Sequence, residues 1–208
     1  MIFDITPMIT PNLAVWPGDT PMSREVLLDT KNGDNITLST LRSTVHLGAH
    51  ADAPSHYEAD GQTIESRLIA LYVGVCQVVR VKIGRGERIM PEHVTVPITA
   101  PRVLFYTGTY PDPTNFNRDF AALSPELIDN LAGRNVRLVG IDTPSVDPFD
   151  SKGLESHHAC HRHDMAILEG LTLAAVPERI YELVALPLKL QGCDASPVRA
   201  ILRAIPEI

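Results

Sequence analysis

Apolar residues along this chain gather in short runs rather than long stripes. Residues 74–82 (GVCQVVRVK), 103–107 and 136–141 are β-branched, largely apolar and each followed by loop residues, the pattern of strands buried in a sheet. Helical spacing is rarer. Ser124-Pro125-Glu126 offers a hydroxyl for an N-cap, a proline at the first helical position and a carboxylate near the positive end of the dipole, so a helix is predicted to start there and to close at Gly133. A second helix is predicted from about Ser196 to Ala204, because Val198, Ile201, Leu202 and Ile205 recur at helical intervals. Strands alternating with a few helices predict an α/β fold.

Composition narrows this picture. A length of 208 residues suits a single domain, and 44% apolar with 21% charged residues is enough to bury a real interior. The 17 prolines are scattered as punctuation between short elements and mark no linker, and no repeat is visible. A formal charge of −7 with no basic stripe argues against a nucleic-acid partner. The N-terminus has no basic segment followed by an apolar one, and the apolar stretch 68–79 is too short for a span and is broken by Gly74 and Gln77. No membrane association is therefore expected, and a soluble, cytoplasmic protein is. Cys76, Cys160 and Cys193 are odd in number and far apart, which predicts reduced thiols rather than a disulfide framework.

One segment stands apart: His46-Leu-Gly-Ala-His50-Ala-Asp52-Ala-Pro-Ser-His56. It puts three of the 8 histidines and an aspartate at even positions among small or apolar residues. As one strand, at about 3.3 Å per residue, it would hold His46 and Asp52 about 20 Å apart, too far for ligands of one ion. As one helix it is opposed by Gly48 and Pro54. What remains is a strand running into a tight, wrapped loop, with Gly48 and the alanines admitting close backbone approach and Pro54 fixing the exit. Four titratable groups in such surroundings would carry a desolvation penalty of several kcal/mol unless they held a metal.

A second cluster, from Ser156 to Glu169, contains His157, His158, His161 and His163. On one helix His157 and Glu169 would lie about 18 Å apart. Both reach one site only if the helix stops between them, with Asp164 as a left-handed stop and residues 166–168 as a return strand delivering Glu169. One or two of these histidines are expected at the site, and the others on a solvated helix face. Cys160 reads as a small buried residue. Ser145 and Asp147 do not form a serine-hydrolase pair, since no G-x-S-x-G elbow surrounds Ser145.

The run from His46 to His56 resembles the H-x-G-[TA]-H-x-D-x-P-x-H motif of the cyclase-like metal-dependent hydrolases, and its Ala49 form resembles the bacterial kynurenine formamidases. The resemblance extends to Trp16-Pro17-Gly18-Asp19, to Gly140-Ile141-Asp142-Thr-Pro-Ser-Val-Asp147, and to His157 through Glu169. It implies a swivelling β/β/α fold with a mixed central sheet, a homodimer, two zinc ions per subunit, and hydrolysis of N-formyl-L-kynurenine to L-kynurenine and formate in tryptophan breakdown. By position, it implies that His46 and His50 bind one zinc, that Asp52 and Glu169 bridge both, that His157 binds the second, that His56 is the acid/base and that Trp16 contacts the substrate.

The chemistry of the ligand types agrees with such a site. Imidazole and carboxylate without thiolate suit zinc, with manganese as the fallback. His56, across Pro54 from Asp52, is placed either to carry protons or to serve as a further ligand. Hydrolysis of another linear or cyclic amide, of isatin or imide type, is the alternative reading, and a non-catalytic metal-binding protein the more distant one.

Overall fold

The computed structural model describes residues 1–205. In chain order the strands are β1 (Ile2–Asp4), β2 (Ser23–Leu28), β3 (Leu38–Arg42), β4 (His50–Asp52), β5 (Val73–Arg80), β6 (Arg88–Ile89), β7 (Arg102–Tyr106) and β8 (Ala122–Leu123). Helix α1 (Pro125–Ala132), β9 (Leu138–Ile141), α2 (Glu155–Arg162), β10 (Ala166–Glu169), β11 (Ile180–Val184), β12 (Ala195–Pro197) and β13 (Ile201–Ala204) follow.

Nine strands form one mixed sheet in the order β1-β13-β11-β5-β7-β9-β10-β4-β12. Its centre, β5-β7-β9-β10, is parallel, and the strands on either side are antiparallel. Side chains alternate across the parallel strands, so both faces are apolar. Cys76, Val78, Leu104, Leu138 and Leu168 pack on one face, against Tyr72, Tyr181 and Leu202. Val79, Val103, Phe105, Val139 and Ile167 pack on the other, beneath Leu127, Ile128 and Leu131 of α1 and Ala159 and Cys160 of α2. Gly140 of β9 has no room for a side chain, because a Cβ there would meet Leu104 Cδ2 at 2.4 Å.

The three predicted strands are β5, β7 and β9, and the first predicted helix is α1, with the Ser124 hydroxyl accepting the Leu127 N–H. The α/β class and mixed sheet agree with expectation. The second predicted helix does not form: residues 196–204 instead contain β12 and β13. Burial there follows period two, through Val198, Ala200 and Leu202, while Ile201 and Ile205 are half-exposed. Strand partners on β4, β1 and β11 supply the backbone hydrogen bonds that a helix would have made internally.

The hairpin β2–β3 stands apart from the large sheet. Every residue of both strands is exposed, including Val26, Leu27, Leu28, Leu38 and Leu41. No helix among the described residues is long and apolar enough to cross a membrane.

Candidate metal centre

Sheet register brings the first residues of the site together. In the antiparallel β4–β10 pair Glu169 lies opposite His50 and Ile167 opposite Asp52, so His50, Asp52 and Glu169 project from one face. Gly170, directly after Glu169, has φ +65°, and a Cβ there would sit 2.2 Å from the Gly48 carbonyl oxygen. This close crossing of the chain fixes the end of β10 against the loop before β4. The segment from His46 to His56 is thus a loop through Gly48, a three-residue strand and a 3-10 turn at Pro54–His56, with turns on both sides of the strand.

Each buried imidazole is held by one nitrogen and aims the other inward. His50 Nδ1 is 2.8 Å from the Gly48 carbonyl, which makes it the donor and leaves Nε2 facing Asp52 Oδ1 at 3.5 Å and Glu169 Oε2 at 3.3 Å. His157, in the first turn of α2, has Nδ1 2.8 Å from Asp147 Oδ2, while its Nε2 lies 3.4 Å from Asp52 Oδ2 and 3.5 Å from Glu169 Oε1. His46 Nδ1 is 3.1 Å from Asp52 Oδ1. None of the contacts to Asp52 has hydrogen-bond geometry, so both its oxygens and His157 Nε2 are buried without a partner. Glu169 Oε1 also accepts the Val146 N–H at 2.7 Å.

Buried polar atoms left in this state cost several kcal/mol unless something satisfies them. Two buried carboxylates and inward-facing imidazole nitrogens are the donor set of a divalent cation. Two groups have donor atoms within 4.8 Å of one another, His46–Asp52–His56 and His50–Asp52–Glu169, and they share Asp52. The residues therefore fit a metal ion.

Electrostatics without an ion tell the same story. Burial alone would raise the Asp52 and Glu169 carboxyl pKa values, yet the surrounding imidazoles hold both low. Burial likewise opposes charge on His46 and His157, but Asp52 and Asp194 carry His46 up to about 9, and Asp147, Asp52 and Glu169 raise His157 well above its ordinary value. Protons on these histidines neutralise the carboxylates in the metal-free protein.

Above the cluster opens a cavity of about 660 Å³, lined by His46, His50, His56, His157 and Glu169 at its floor. Trp16, Tyr110 and Phe116 form an aromatic wall. Trp16 stacks on Phe149 with centroids 4.9 Å apart and meets Phe116 and Phe120 edge-on, so its ring is held by other aromatics. Neither Lys nor Arg is among the described residues lining the cavity.

All six histidine and carboxylate positions singled out in the sequence, His46, His50, Asp52, His56, His157 and Glu169, converge here, and Trp16 lines the cavity above them. The other histidines of the second cluster turn away: His158 Nδ1 is 2.8 Å from Glu58, and His163 Nε2 is 2.7 Å from Asp129. Asp164 adopts φ +49° and ends the α2 segment, as its predicted role as a stop requires. Cys160 is buried in the apolar core. Two carboxylates were given no place at this site by the sequence. Asp147 holds His157 and sits in the segment already singled out around Gly140, whereas Asp194 approaches His46 and His56 from the bend just before β12, with no local signal around it.

Residues 3–148 match the Cyclase family model, described as "Putative cyclase". The chain belongs to the Cyclase family. The matched span contains the segment from His46 to His56 and Asp147, while His157, Glu169 and Asp194 lie beyond it. Among solved structures, a "potential metal-dependent hydrolase with cyclase activity" is 28% identical, with TM-score 0.85 and 99% of each chain covered. A "predicted metal-dependent hydrolase from Bacillus stearothermophilus" is also 28% identical, with TM-score 0.80 and 97% of each chain covered. Isatin hydrolase A from Labrenzia aggregata, bound to benzyl benzoate, shares the fold at 23% identity and TM-score 0.82, over 97% of this chain and 93% of that one.

Proposed function

We propose that the protein is a metal-dependent amide hydrolase that converts N-formyl-L-kynurenine to L-kynurenine and formate. The observation that carries this reading is the buried, unpartnered Asp52 carboxylate, ringed by inward-facing imidazoles at the floor of an aromatic-walled cavity. His46, His50, Asp52, His157 and Glu169 would hold the divalent metal; zinc suits this donor set, with manganese as the substitute. Bound there, divalent metal would lower the pKa of water toward neutrality and polarise a carbonyl.

The chain's own groups do the rest. Trp16 and its aromatic neighbours offer flat surface to an aryl ring and exclude water from it. His56, about one-third exposed at the cavity floor, takes a proton from the attacking water and returns it to the leaving amine nitrogen, so that amide and water become acid and amine. His56→Ala should retain metal and lose most of its turnover. Loss of metal from that variant would make His56 a ligand instead.

A second reading is favoured by one observation. Neither lysine nor arginine among the described residues lines the cavity to pair with a substrate carboxylate, which suits a neutral cyclic aryl amide of the isatin type. Incubating the zinc-loaded protein with each compound separates the two: release of kynurenine supports the first, and turnover of isatin alone overturns it.

We also propose a homodimer. A two-stranded hairpin is marginal by itself, and β2–β3 exposes its apolar side chains while its charges balance, Arg24, Lys31 and Arg42 against Glu25, Asp29 and Asp34. A second copy could cover it without charge repulsion.

A further inference from the structure

We propose that Asp194 is a positioning residue that holds His56 with its proton on Nδ1, leaving Nε2 as the nitrogen that exchanges protons with substrate, while steadying His46 through the same carboxylate oxygen. Asp194 Oδ2 lies 2.9 Å from His46 Nε2 and 3.3 Å from His56 Nδ1. A carboxylate oxygen can only accept, so both nitrogens facing it are donors. The two imidazoles are themselves neighbours, with ring centroids 4.2 Å apart, and Asp194 is the group that touches both from outside.

The placement of this carboxylate is built into the backbone. The Asp194 carbonyl accepts the Ala53 N–H at 2.8 Å, and the Cys193 carbonyl accepts the Ile64 N–H at 2.9 Å. The next residue, Ala195, pairs with Asp52 across the β12–β4 ladder. Asp194 is therefore tied to Ala53, directly after the ligand Asp52, with its two chain neighbours tied to Ile64 and Asp52, and its side chain reaches the two histidines from the residue before the edge strand. The arrangement repeats what Asp147 does for His157 and the Gly48 carbonyl for His50: an acceptor outside the cluster fixes one ring nitrogen and so decides what the other can do. At Asp194 one oxygen serves two rings, linking a metal-holding histidine to the proton carrier.

This inference rests on the hydrolase reading, and its test separates the two. The zinc-loaded protein, labelled with ¹⁵N-histidine, is compared with Asp194→Asn and Asp194→Glu by long-range ¹H–¹⁵N spectra, with the His56 signals assigned by their loss in His56→Gln. The expected result is His56 protonated at Nδ1 in the wild type and a shift toward the Nε2–H form in Asp194→Asn. For the amide that the wild type hydrolyses, kcat in Asp194→Asn falls about 10- to 100-fold. With zinc in excess the metal sites stay filled and KM stays unchanged, and Asp194→Glu recovers part of the rate. An Nε2–H tautomer in the wild type, a tautomer indifferent to Asp194→Asn, or metal loss in proportion to the lost rate would each overturn the proposal. A wild type that turns over neither amide defeats the hydrolase reading alone, because the tautomer measurement still decides what Asp194 does.

Discussion

Asp147→Asn tests how the protein prepares His157. The Asp147 carboxylate is fully buried and accepts from the Ser156 N–H at 3.0 Å, the His157 N–H at 3.0 Å, His157 Nδ1 at 2.8 Å and Arg88 Nη1 at 2.9 Å. Leu154, at the N-cap of α2, has φ +45° and gives no side-chain cap, so Asp147 also satisfies the first amides of that helix. An amide in its place keeps one acceptor oxygen and turns an NH2 group toward donors. Removing one partner of a buried charge pair costs about 3–5 kcal/mol, and the lower end applies because Arg88 keeps Glu155 at 2.8 Å. For a domain of this size about 3 kcal/mol corresponds to a Tm lower by about 6–12 °C. Burial pushes the Asp147 carboxyl up, but His157 and the helix amides outweigh it and hold the pKa far below the ordinary value. Its contribution is therefore present above about pH 3.9 and lost as pH falls, so the Tm gap between wild type and variant should close in acid. Metal affinity, free of its oriented ligand, should drop about 10- to 100-fold. Thermal melts in chelator across pH, with metal titrations, measure both effects. A variant melting within about 2 °C of wild type and binding metal equally well would refute the role assigned to Asp147.

Four further outcomes follow from the geometry. Loading zinc at pH 7 should release about two protons, from His46 and His157, because ligation needs neutral imidazole; calorimetry in buffers of different ionisation enthalpy reads this, and a buffer-independent enthalpy contradicts it. For His46 the sign is that of a raised group: its stabilising contact in the metal-free protein is present below about pH 6.5 and lost as pH rises through about 9, so the chelated protein should melt lower at alkaline pH. Gly170→Ala should cost about 1–2 kcal/mol for the left-handed conformation, with a further penalty for the collision with Gly48, lowering Tm by more than about 4 °C. Leu41, 64% exposed on the hairpin, should when changed to Asp shift the protein toward monomer in light scattering, and a monomeric wild type would remove the dimer proposal.

The site was more legible in the sequence than the sheet that carries it. His46, His50 and Asp52 are separated by few residues, so length arithmetic excluded a plain strand, and Gly48 with Pro54 a plain helix. Glu169 was reachable by the same reasoning, since only a stop at Asp164 could return the chain. Asp194 was not legible: it meets His46 through the pairing of β12 with β4, and no spacing along the chain encodes that approach. The helix expected over 196–204 failed for a related reason. Val198, Ala200 and Leu202 carry an alternation in which the alanine contributes little apolar signal, while the larger Ile201 and Ile205 supply a false helical period. Tertiary pairing, invisible locally, decided between them.

The register that sets Glu169 opposite His50 joins parts of the chain that are distant in sequence, and this shapes the order in which the protein is made ready. In the unfolded chain the ligands are scattered along a long, flexible loop whose closure is entropically costly, so an ion meets no cage there. The cage exists only once that long-range strand pairing has formed, and such pairing is intrinsically slow. Metal would thus be acquired by a finished scaffold in exchange for protons. Which ion enters is governed by the pool the folded protein meets and by the ordering of divalent affinities for nitrogen and oxygen donors, rather than by anything that happens during folding.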